Sequence, residues 1–238
     1  MIEQAIILAG GKGTRLWPLT QNTPKPLVLV SQKPFLVWQL LYLKSQGFRR
    51  IVLLVSHFAD QIIQYFEANP IEGLTIEFSV EPEALGTGGA LTNAMAYLDD
   101  SFFVLNGDSF APLDYRAMEE VFHKSGNEIC MAVTAADVNP EVPGNVKARD
   151  SKLIEYRKDG GTNAGYTWID AGVYIYKKSA LDGIELGTYG IEKTWIQALQ
   201  KQSVVVHPVT QRFFDIGTPE RLQFFESNLP KFFDVSKT

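Results

Sequence analysis

The 238-residue sequence holds one cysteine, three histidines and no run of 18 apolar residues. One cysteine cannot form an internal disulfide, which fits a reducing compartment. Cys130 lies in the stretch Ile129-Cys130-Met131-Ala132-Val133 and reads as a buried small hydrophobe, not a nucleophile or ligand. His57, His123 and His207 are scattered without metal-ligand spacing and are assigned no role. Without a long apolar run there is no candidate membrane span. A strand that starts by residue 5 leaves no room for a signal peptide. Cations are also in short supply: 22 Lys and Arg against 27 Asp and Glu give a net charge of −5. That balance argues against a nucleic-acid or membrane surface, so any polyanion site must be a local cation cluster. There is no repeat, low-complexity tract or linker. The expectation is a soluble cytoplasmic protein.

What is present begins with residues 3–27. Ala5 to Leu8 is a short apolar run, as a buried parallel strand gives, and Ala9-Gly10-Gly11-Lys12-Gly13-Thr14 breaks it. Glycine carries no Cβ, so such a loop can bring backbone N–H groups close to an anion. Lys12 and Arg15 stand in or beside it, and Pro24-Lys25-Pro26 fixes a third cation on a stiffened segment. These parts describe a phosphate cradle. It is not a Walker A loop, since no window fits G-x-x-x-x-G-K-[ST]. A dinucleotide fingerprint starting at Gly11 lacks its third glycine, because position 16 is Leu. On glycine content alone a plain strand-to-loop turn reads equally well.

Strand and helix signals alternate through the first half. A helix over 35–43 ends near Gly47, strands are expected over 50–55, 74–80 and 102–105, and helices over 60–69, 88–98 and 114–124. The second half is more irregular, with strands over 129–134, 145–148, 152–157, 168–176 and 204–207. Loops are expected over 139–144 and 159–165, and helices over 191–201 and 220–225. With 45% hydrophobic residues the chain can bury a sizeable core, and residues 1–238 read as one catalytic domain. The fold class expected is α/β: a Rossmann-like, doubly wound, mostly parallel (mixed) sheet flanked by helices, with a small β-rich portion in the second half.

In open α/β sheets ligands sit beyond the carboxyl ends of the strands. Asn106-Gly107-Asp108 follows the strand over 102–105 at such an end, although an Asp there can also serve a turn. Asp215, between Phe213-Phe214 and Gly217-Thr218-Pro219, is the natural second carboxylate for a Mg²⁺ site shared with phosphate oxygens. A second glycine-rich stretch, Glu81-Pro82-Glu83-Ala84-Leu85-Gly86-Thr87-Gly88-Gly89-Ala90, also follows a strand.

The string GGKGTRLWPLTQNTPKPL resembles the G-G-x-G-T-R-L-x-P-L-T-x-x-x-P-K-P motif of the sugar-1-phosphate nucleotidyltransferases. Those enzymes join a nucleoside triphosphate and a sugar 1-phosphate and release pyrophosphate. LNGD and FFDIGTP likewise resemble segments that supply the family's metal aspartates, here Asp108 and Asp215, with Mg²⁺ as cofactor. The resemblance places the nucleotide against Leu8, Ala9, Gly10, Gly11, Lys12, Gly13, Thr14, Arg15, Glu81, Gly86, Thr87 and Asn106. Arg15, Lys25 and Asp108 are implied as catalytic, Arg15 toward the β- and γ-phosphates and Lys25 toward the reacting centre. A sugar phosphate has a second pKa of about 6, so it attacks the α-phosphorus in line as a dianion without a general base. The protein must supply alignment and charge neutralisation.

By the same resemblance Glu81 reads the base edge. Relatives using dTTP or UTP tend to carry glutamine there. A carboxylate accepts only. Guanine presents N1–H and N2–H₂ side by side, whereas uracil and thymine flank one N–H with carbonyl oxygens, so GTP is favoured. The alternative is that Glu81 faces solvent and backbone groups read the base. The E-x-x-x-L-G-T-G-G-A pattern also resembles the guanylyltransferases for mannose 1-phosphate and D-glycero-D-manno-heptose 1-phosphate, the second nearer in length and spacing.

The sugar end is implied at Lys25, Gly107, Glu155, Lys158, Asp170 and Gly172. Glu155-Tyr156-Arg157-Lys158 stands where relatives carry F-x-E-K-P or Y-D-K-K. Here the proline is absent and Arg157 replaces an acidic residue. Lys158 is read toward the sugar phosphate and Glu155 toward hydroxyls. Asp170, in Trp168-Ile169-Asp170-Ala171-Gly172, either accepts from sugar hydroxyls or faces a turn. A UTP- or dTTP-using enzyme and a catalytically silent sensing module remain as alternatives. Phe224, Phe225, Phe232 and Phe233, the last two in a short tail over 232–235, either pack on the core or form a homodimer contact. Larger relatives append a further domain after this point; the chain is read without one.

Overall fold

The structure, a computed structural model, describes residues 1–158, 160 and 165–234. Residues 5–8 are apolar in succession because β1 (Gln4–Leu8) is covered on both faces. Parallel neighbours flank it, β4 (Arg50–Val55) on one side and β6 (Ser101–Asn106) on the other, with β5 (Thr75–Val80) beyond β4. Between β1 and β4 come a small ribbon, β2 (Leu29–Val30) with β3 (Lys33–Pro34), and the helix α1 (Phe35–Ser45). The next two crossovers are α2 (Ala59–Ala68) and α3 (Gly86–Asn93). After β6 follow β7 (Ser109–Phe110), α4 (Tyr115–Ser125) and β8 (Ile129–Ala135). The second half adds β9 (Val146–Arg149), β10 (Lys152–Tyr156), the long β11 (Trp168–Lys177) and α5 (Glu192–Gln200). It ends with β12 (Val204–Val209), β13 (Phe214–Asp215) and α6 (Pro219–Asn228).

The main sheet runs in the order β5-β4-β1-β6-β11-β8-β12-β10-β9. It is parallel from β5 to β6 and again between β8 and β12, and antiparallel elsewhere. β11 enters between β6 and β8 against both, so the sheet is mixed. The small β-rich portion is β9 and β10 at the far edge. Expected and observed elements differ mainly at their ends: α3 starts at Gly86 and stops at Asn93, with a short 3₁₀ turn (Met95–Tyr97) after it. α6 runs on to Asn228. The loop expected over 159–165 and Val235 of the tail fall largely outside the described residues.

Strand alternation sorts the core into two layers. Ala5, Ile7, Ile51, Leu53, Phe103 and Leu105 meet Leu36, Leu40 and Leu43 of α1, Ile62 and Phe66 of α2, and Met118 and Phe122 of α4. Ile6, Val52, Leu54, Phe102 and Val104 face the other way, onto Ala90 and Leu91 of α3 and Trp195 and Ala198 of α5. Cys130 is fully buried, and burial pushes its thiol up to about 12, as expected for an inert hydrophobe.

A third cluster explains why α1 is apolar nearly all round. Its Phe35 and Trp38 turn away from the sheet onto Val30, Phe110, Phe214, Ile216, Phe225 and Leu229. This cluster seats the β7–β13 ribbon and α6 against α1. Three of the four late aromatics join it: Phe225 is buried, Phe232 packs on Phe110 and Phe233 on Trp38. Phe224 stays 43% exposed, with the Arg212 guanidinium over its ring. Among the described residues, no helix is long and apolar enough to cross a membrane.

Candidate active site

The carboxyl ends of β1, β4, β5 and β6 open onto one cleft of about 560 Å³. β1 delivers Leu8 and the loop Ala9, Gly10, Gly11 and Lys12, followed by Arg15 in a 3₁₀ turn (Thr14–Leu16). The connection after β5 delivers Glu81, Gly86 and Thr87, and β6 delivers Asn106, Gly107 and Asp108. Lys25 and Lys158 complete the walls. Four cations face two carboxylates here, so the cleft carries local positive charge in a chain of net charge −5.

The glycines have distinct physical reasons. Gly11 has open space around the position a Cβ would take, so its backbone faces the cleft unobstructed. Gly10 is different: a Cβ would come within 2.8 Å of Glu81 Oε1, so the two glycine-rich stretches touch there. Gly13 holds φ of +65° and packs on the Lys25 stem, while the Thr20 hydroxyl donates to its carbonyl at 2.7 Å. Gly13 and Thr14 thus shape the cradle from behind and are not cleft walls. Gly107 lets the strand end close onto β1, its N–H donating to the Leu8 carbonyl at 3.0 Å. A Cβ at Gly107 would lie 2.5 Å from that oxygen.

Asp108 is held by the Lys25 ammonium, which donates to Oδ2 at 2.5 Å, and by the Ser109 hydroxyl at 3.2 Å on Oδ1. The Lys25 side chain is only 8% exposed, so its stem is sealed and its head is aimed. Burial raises the Asp108 pKa, but Lys25, Ser109 and Arg15 together outweigh it and hold the group below the usual carboxylate range. Gln39, buried in α1, donates to the carbonyls of Asn106 and Ser109 at 3.0 and 2.9 Å. It staples the loop on both sides of Gly107-Asp108. The only sequence signal for that role was one amide in an apolar helix.

Glu81 is nearly buried. Its Oε2 accepts from the Leu85 N–H at 2.8 Å, which fixes the carboxylate. Burial raises its pKa, and the Leu85 bond offsets part of that. The following glycines serve packing. Cβ atoms at Gly86 and Gly88 would lie 2.6 and 2.5 Å from the carbonyl oxygens of Tyr189 and Gly190, and one at Gly89 would overlap that of Gly187. The segment 187–191 straps the start of α3 through Gly88 N to Tyr189 O (3.0 Å), Tyr189 N to Leu85 O (2.9 Å) and Ile191 N to Thr87 Oγ1 (2.8 Å).

The sugar-end residues are brought together only in part. Lys158 reaches the cleft and lies 3.6 Å from Glu192. Glu155 is not a cleft wall. The Tyr166 hydroxyl, Lys147 and Arg157 all bind its carboxylate, and that set, Tyr166 first, lowers it to about 2. Asp170 is also turned inward, accepting from Gly172 N–H at 2.9 Å and the Tyr174 hydroxyl at 2.6 Å. It lies within β11 at the register shift before Tyr174 and spends its carboxylate on the strand's own groups. Gly172, with φ of +69°, packs on the Asn106 side chain, supporting a cleft residue from behind.

Burial pushes Asp170 up to about 6, with the Tyr174 and Gly172 bonds opposing. A raised folded-state pKa means the folded chain keeps a proton that the unfolded chain has released. Stability from this group therefore falls as pH rises between about 4 and 6. Asp170→Asn is expected to flatten that slope in urea midpoints measured across the window. A wild-type-to-variant difference that is constant with pH would contradict it.

Asp215 stands on β13, opposite Ser109 of β7, and the next residue's N–H donates to the Asp108 carbonyl at 3.0 Å. The ribbon thus seats Asp215 beside the turn that carries Asp108. The Asp215 carboxylate accepts from the Gly217 N–H at 2.8 Å and pairs with Arg221 at 2.9 Å. It is not a wall of the main cleft. A divalent cation bound with phosphate takes one or two carboxylates as hard oxygen ligands, and this donor set fits it. Asp108, with its side chain 36% exposed, opens into the cleft, while Asp215 would have to be released from Arg221.

Residues 4–229 match the family described as nucleotidyl transferase. The catalytic subunit beta of mannose-1-phosphate guanylyltransferase from Drosophila melanogaster is 35% identical over 222 residues, covering 91% of this chain and 60% of the fly protein. The D-glycero-alpha-D-manno-heptose 1-phosphate guanylyltransferase of Campylobacter jejuni is 31% identical over 227 residues, covering 94% of this chain and 99% of that one. This chain thus spans about three fifths of the mannose-type relatives and nearly the whole of the heptose-type one. Among solved structures, HddC from Yersinia pseudotuberculosis complexed with GMP-PN is similar, with a TM-score of 0.80 and 31% identity over 98% of this chain and 100% of that one. A putative glucose-1-phosphate thymidylyltransferase from Bacillus anthracis shares the fold, with a TM-score of 0.82 at 22% identity, 95% of this chain and 94% of that one being covered. With a match that runs through β1, the cleft and α6, the chain belongs to the nucleotidyl transferase family.

Proposed function

We propose that this protein joins GTP and a sugar 1-phosphate of the mannose or manno-heptose type, giving a GDP-sugar and pyrophosphate. The observation that carries the reading is the cation-lined cleft, with Lys25 and Asp108 paired at its floor, in an otherwise acidic chain. The guanylyltransferase names of its 31–35% identical relatives support the choice of GTP over UTP or dTTP.

In this reading the triphosphate enters over the open backbone at Gly11, with Lys12 and Arg15 at its β- and γ-phosphates. Arg15 presents a planar fork of donors to phosphates that depart as pyrophosphate. Lys158, also a cleft wall, meets the incoming sugar phosphate. Lys25, fixed by its buried stem, holds positive charge at the reacting centre as the attacking dianion approaches the α-phosphorus. Asp108 stays ionised at neutral pH, so it serves as a ligand and counter-charge and not as an acid. Magnesium held by Asp108 and Asp215 would neutralise phosphate charge and fix the α-phosphate's orientation.

Glu81 supports guanine as the base. The Leu85 N–H engages one lone pair on Oε2 and leaves the carboxylate's other acceptor sites for the N1–H and N2–H₂ donors. In Glu81→Gln an amide NH₂ would oppose those donors. The expected result is a fall in kcat/KM for GTP of roughly 10- to 100-fold, with a smaller change for UTP. An unchanged GTP-to-UTP ratio in steady-state assays would remove Glu81 as the base reader.

A further inference from the structure

Both aspartates at the candidate metal site already carry a resident cation. At Asp108 it is Lys25, which lines the main cleft. At Asp215 it is Arg221, whose Nη1 donates to Oδ2 at 2.9 Å and Oδ1 at 3.1 Å. Its Nη2 reaches the Glu141 carbonyl at 3.4 Å, so the guanidinium is gripped from two sides.

The two cations differ in place. Lys25 points at the reacting centre, whereas Arg221 projects from the first turn of α6 and lines a separate hollow of about 280 Å³ with Arg212, Phe213 and Phe224. Asp215 lines that same hollow. Arg15 also comes close, its Nη2 lying 3.4 Å from where a Cβ on Gly217 would stand. The Asp215 side chain is 15% exposed and that of Arg221 32%, so this pair is partly desolvated, and removing either partner leaves the other charge poorly solvated.

We propose that Arg221 is a placeholder for the metal: it neutralises Asp215 in the free protein and competes with the divalent cation for that carboxylate. The inference rests on the reading of Asp108 and Asp215 as the metal ligands. Its consequence is that the cation binds weakly until the nucleotide's phosphates supply further oxygens, which couples metal binding to nucleotide binding. Freeing Asp215 from Arg221 costs the cation the same free energy with or without nucleotide, so Arg221 sets how weakly the ion binds alone and the phosphate oxygens supply the coupling. Arg221 is thus a positioning residue, since it acts through Asp215 and touches no reacting atom.

The test is a titration with Mn²⁺ alone, without nucleotide, read as loss of the free-ion signal in electron paramagnetic resonance. Wild type, Arg221→Gln, Arg221→Lys, Asp215→Asn, Asp108→Asn and the Arg221→Gln/Asp215→Asn double variant are compared, with thermal melts to show each is folded. Arg221→Gln is expected to bind Mn²⁺ roughly five- to tenfold more tightly than wild type. Arg221→Lys, which keeps the charge but loses the fork, is expected to fall between, and adding Asp215→Asn is expected to abolish the gain. Should Arg221→Gln prove hard to fold, the Lys variant carries the comparison. Unchanged affinity in the Arg221 variants would overturn the proposal. Weaker affinity would also overturn it, and would show instead that Arg221 orients Asp215 for the metal. If Asp108→Asn and Asp215→Asn also bind as wild type does, the reading of the metal ligands fails, and the proposal with it.

Discussion

Asp108→Asn is expected to lower turnover by roughly 10³-fold or more with saturating GTP and sugar 1-phosphate. The amide keeps the shape of the carboxylate and can still meet the Ser109 hydroxyl. It loses the negative charge that Lys25 approaches at 2.5 Å. Two consequences follow from the geometry. A neutral amide is a poor ligand for a hard divalent cation. Lys25, 8% exposed, is left with its ammonium beside an uncharged group, so its aim at the reacting centre relaxes. The same loss costs the free protein stability, on the order of 1–3 kcal/mol, because a sealed cation has lost its counter-charge. Initial rates of pyrophosphate release and a cooperative melt check both points. A folded variant that keeps more than about a tenth of wild-type activity would remove Asp108 from the reacting centre.

Gly89→Ala is the second large effect, and it acts on stability. A Cβ there would overlap the Gly187 carbonyl oxygen and lie 2.8 Å from the Leu85 Cβ. Neither neighbour is the free end of a long side chain, so the strap over 187–191 must move away from α3. Four hydrogen bonds hold that strap to Leu85, Thr87, Gly88 and Gly89 itself, and all would be disturbed. A loss of about 2–4 kcal/mol is expected, a drop in Tm of several degrees in a chain of this size. Gly11→Ala is the control. Its Cβ would meet nothing within 4 Å, so stability is expected to hold within about 0.5 kcal/mol. Thermal melts of the two variants that agree with each other would contradict this division of the glycines.

That division also shows where the sequence is transparent and where it is not. The first strand, its glycine turn and the Asn106-Gly107-Asp108 end were legible because each is a local pattern at a strand's carboxyl end. The mixed sheet was legible from strand-helix alternation giving way to irregular strands. Gly86 was read toward the nucleotide, and Gly88 and Gly89 only as part of a glycine-rich stretch. Gly86 does line the cleft, but all three are small for a contact with residues some 100 positions later, which no local pattern encodes. Glu155 was read toward sugar hydroxyls; its carboxylate is instead consumed by Tyr166, Lys147 and Arg157, a cluster assembled across strand neighbours. Gln39 carries no signal beyond being polar in an apolar helix. Arg221 hides for a similar reason: six residues from Asp215, it meets that carboxylate only because Thr218 caps α6 and turns the first helical turn back.

The measurement that bears most directly on the central claim is pyrophosphate release with Mg²⁺ across GTP, UTP, dTTP, CTP and ATP, each against a panel of sugar 1-phosphates that includes mannose and manno-heptose. The account predicts turnover that requires GTP and one of the manno-configured sugars. Turnover led by UTP or dTTP would contradict the guanine reading while leaving the cleft's chemistry in place, and binding without turnover for every pair would contradict the assignment of a catalytic site.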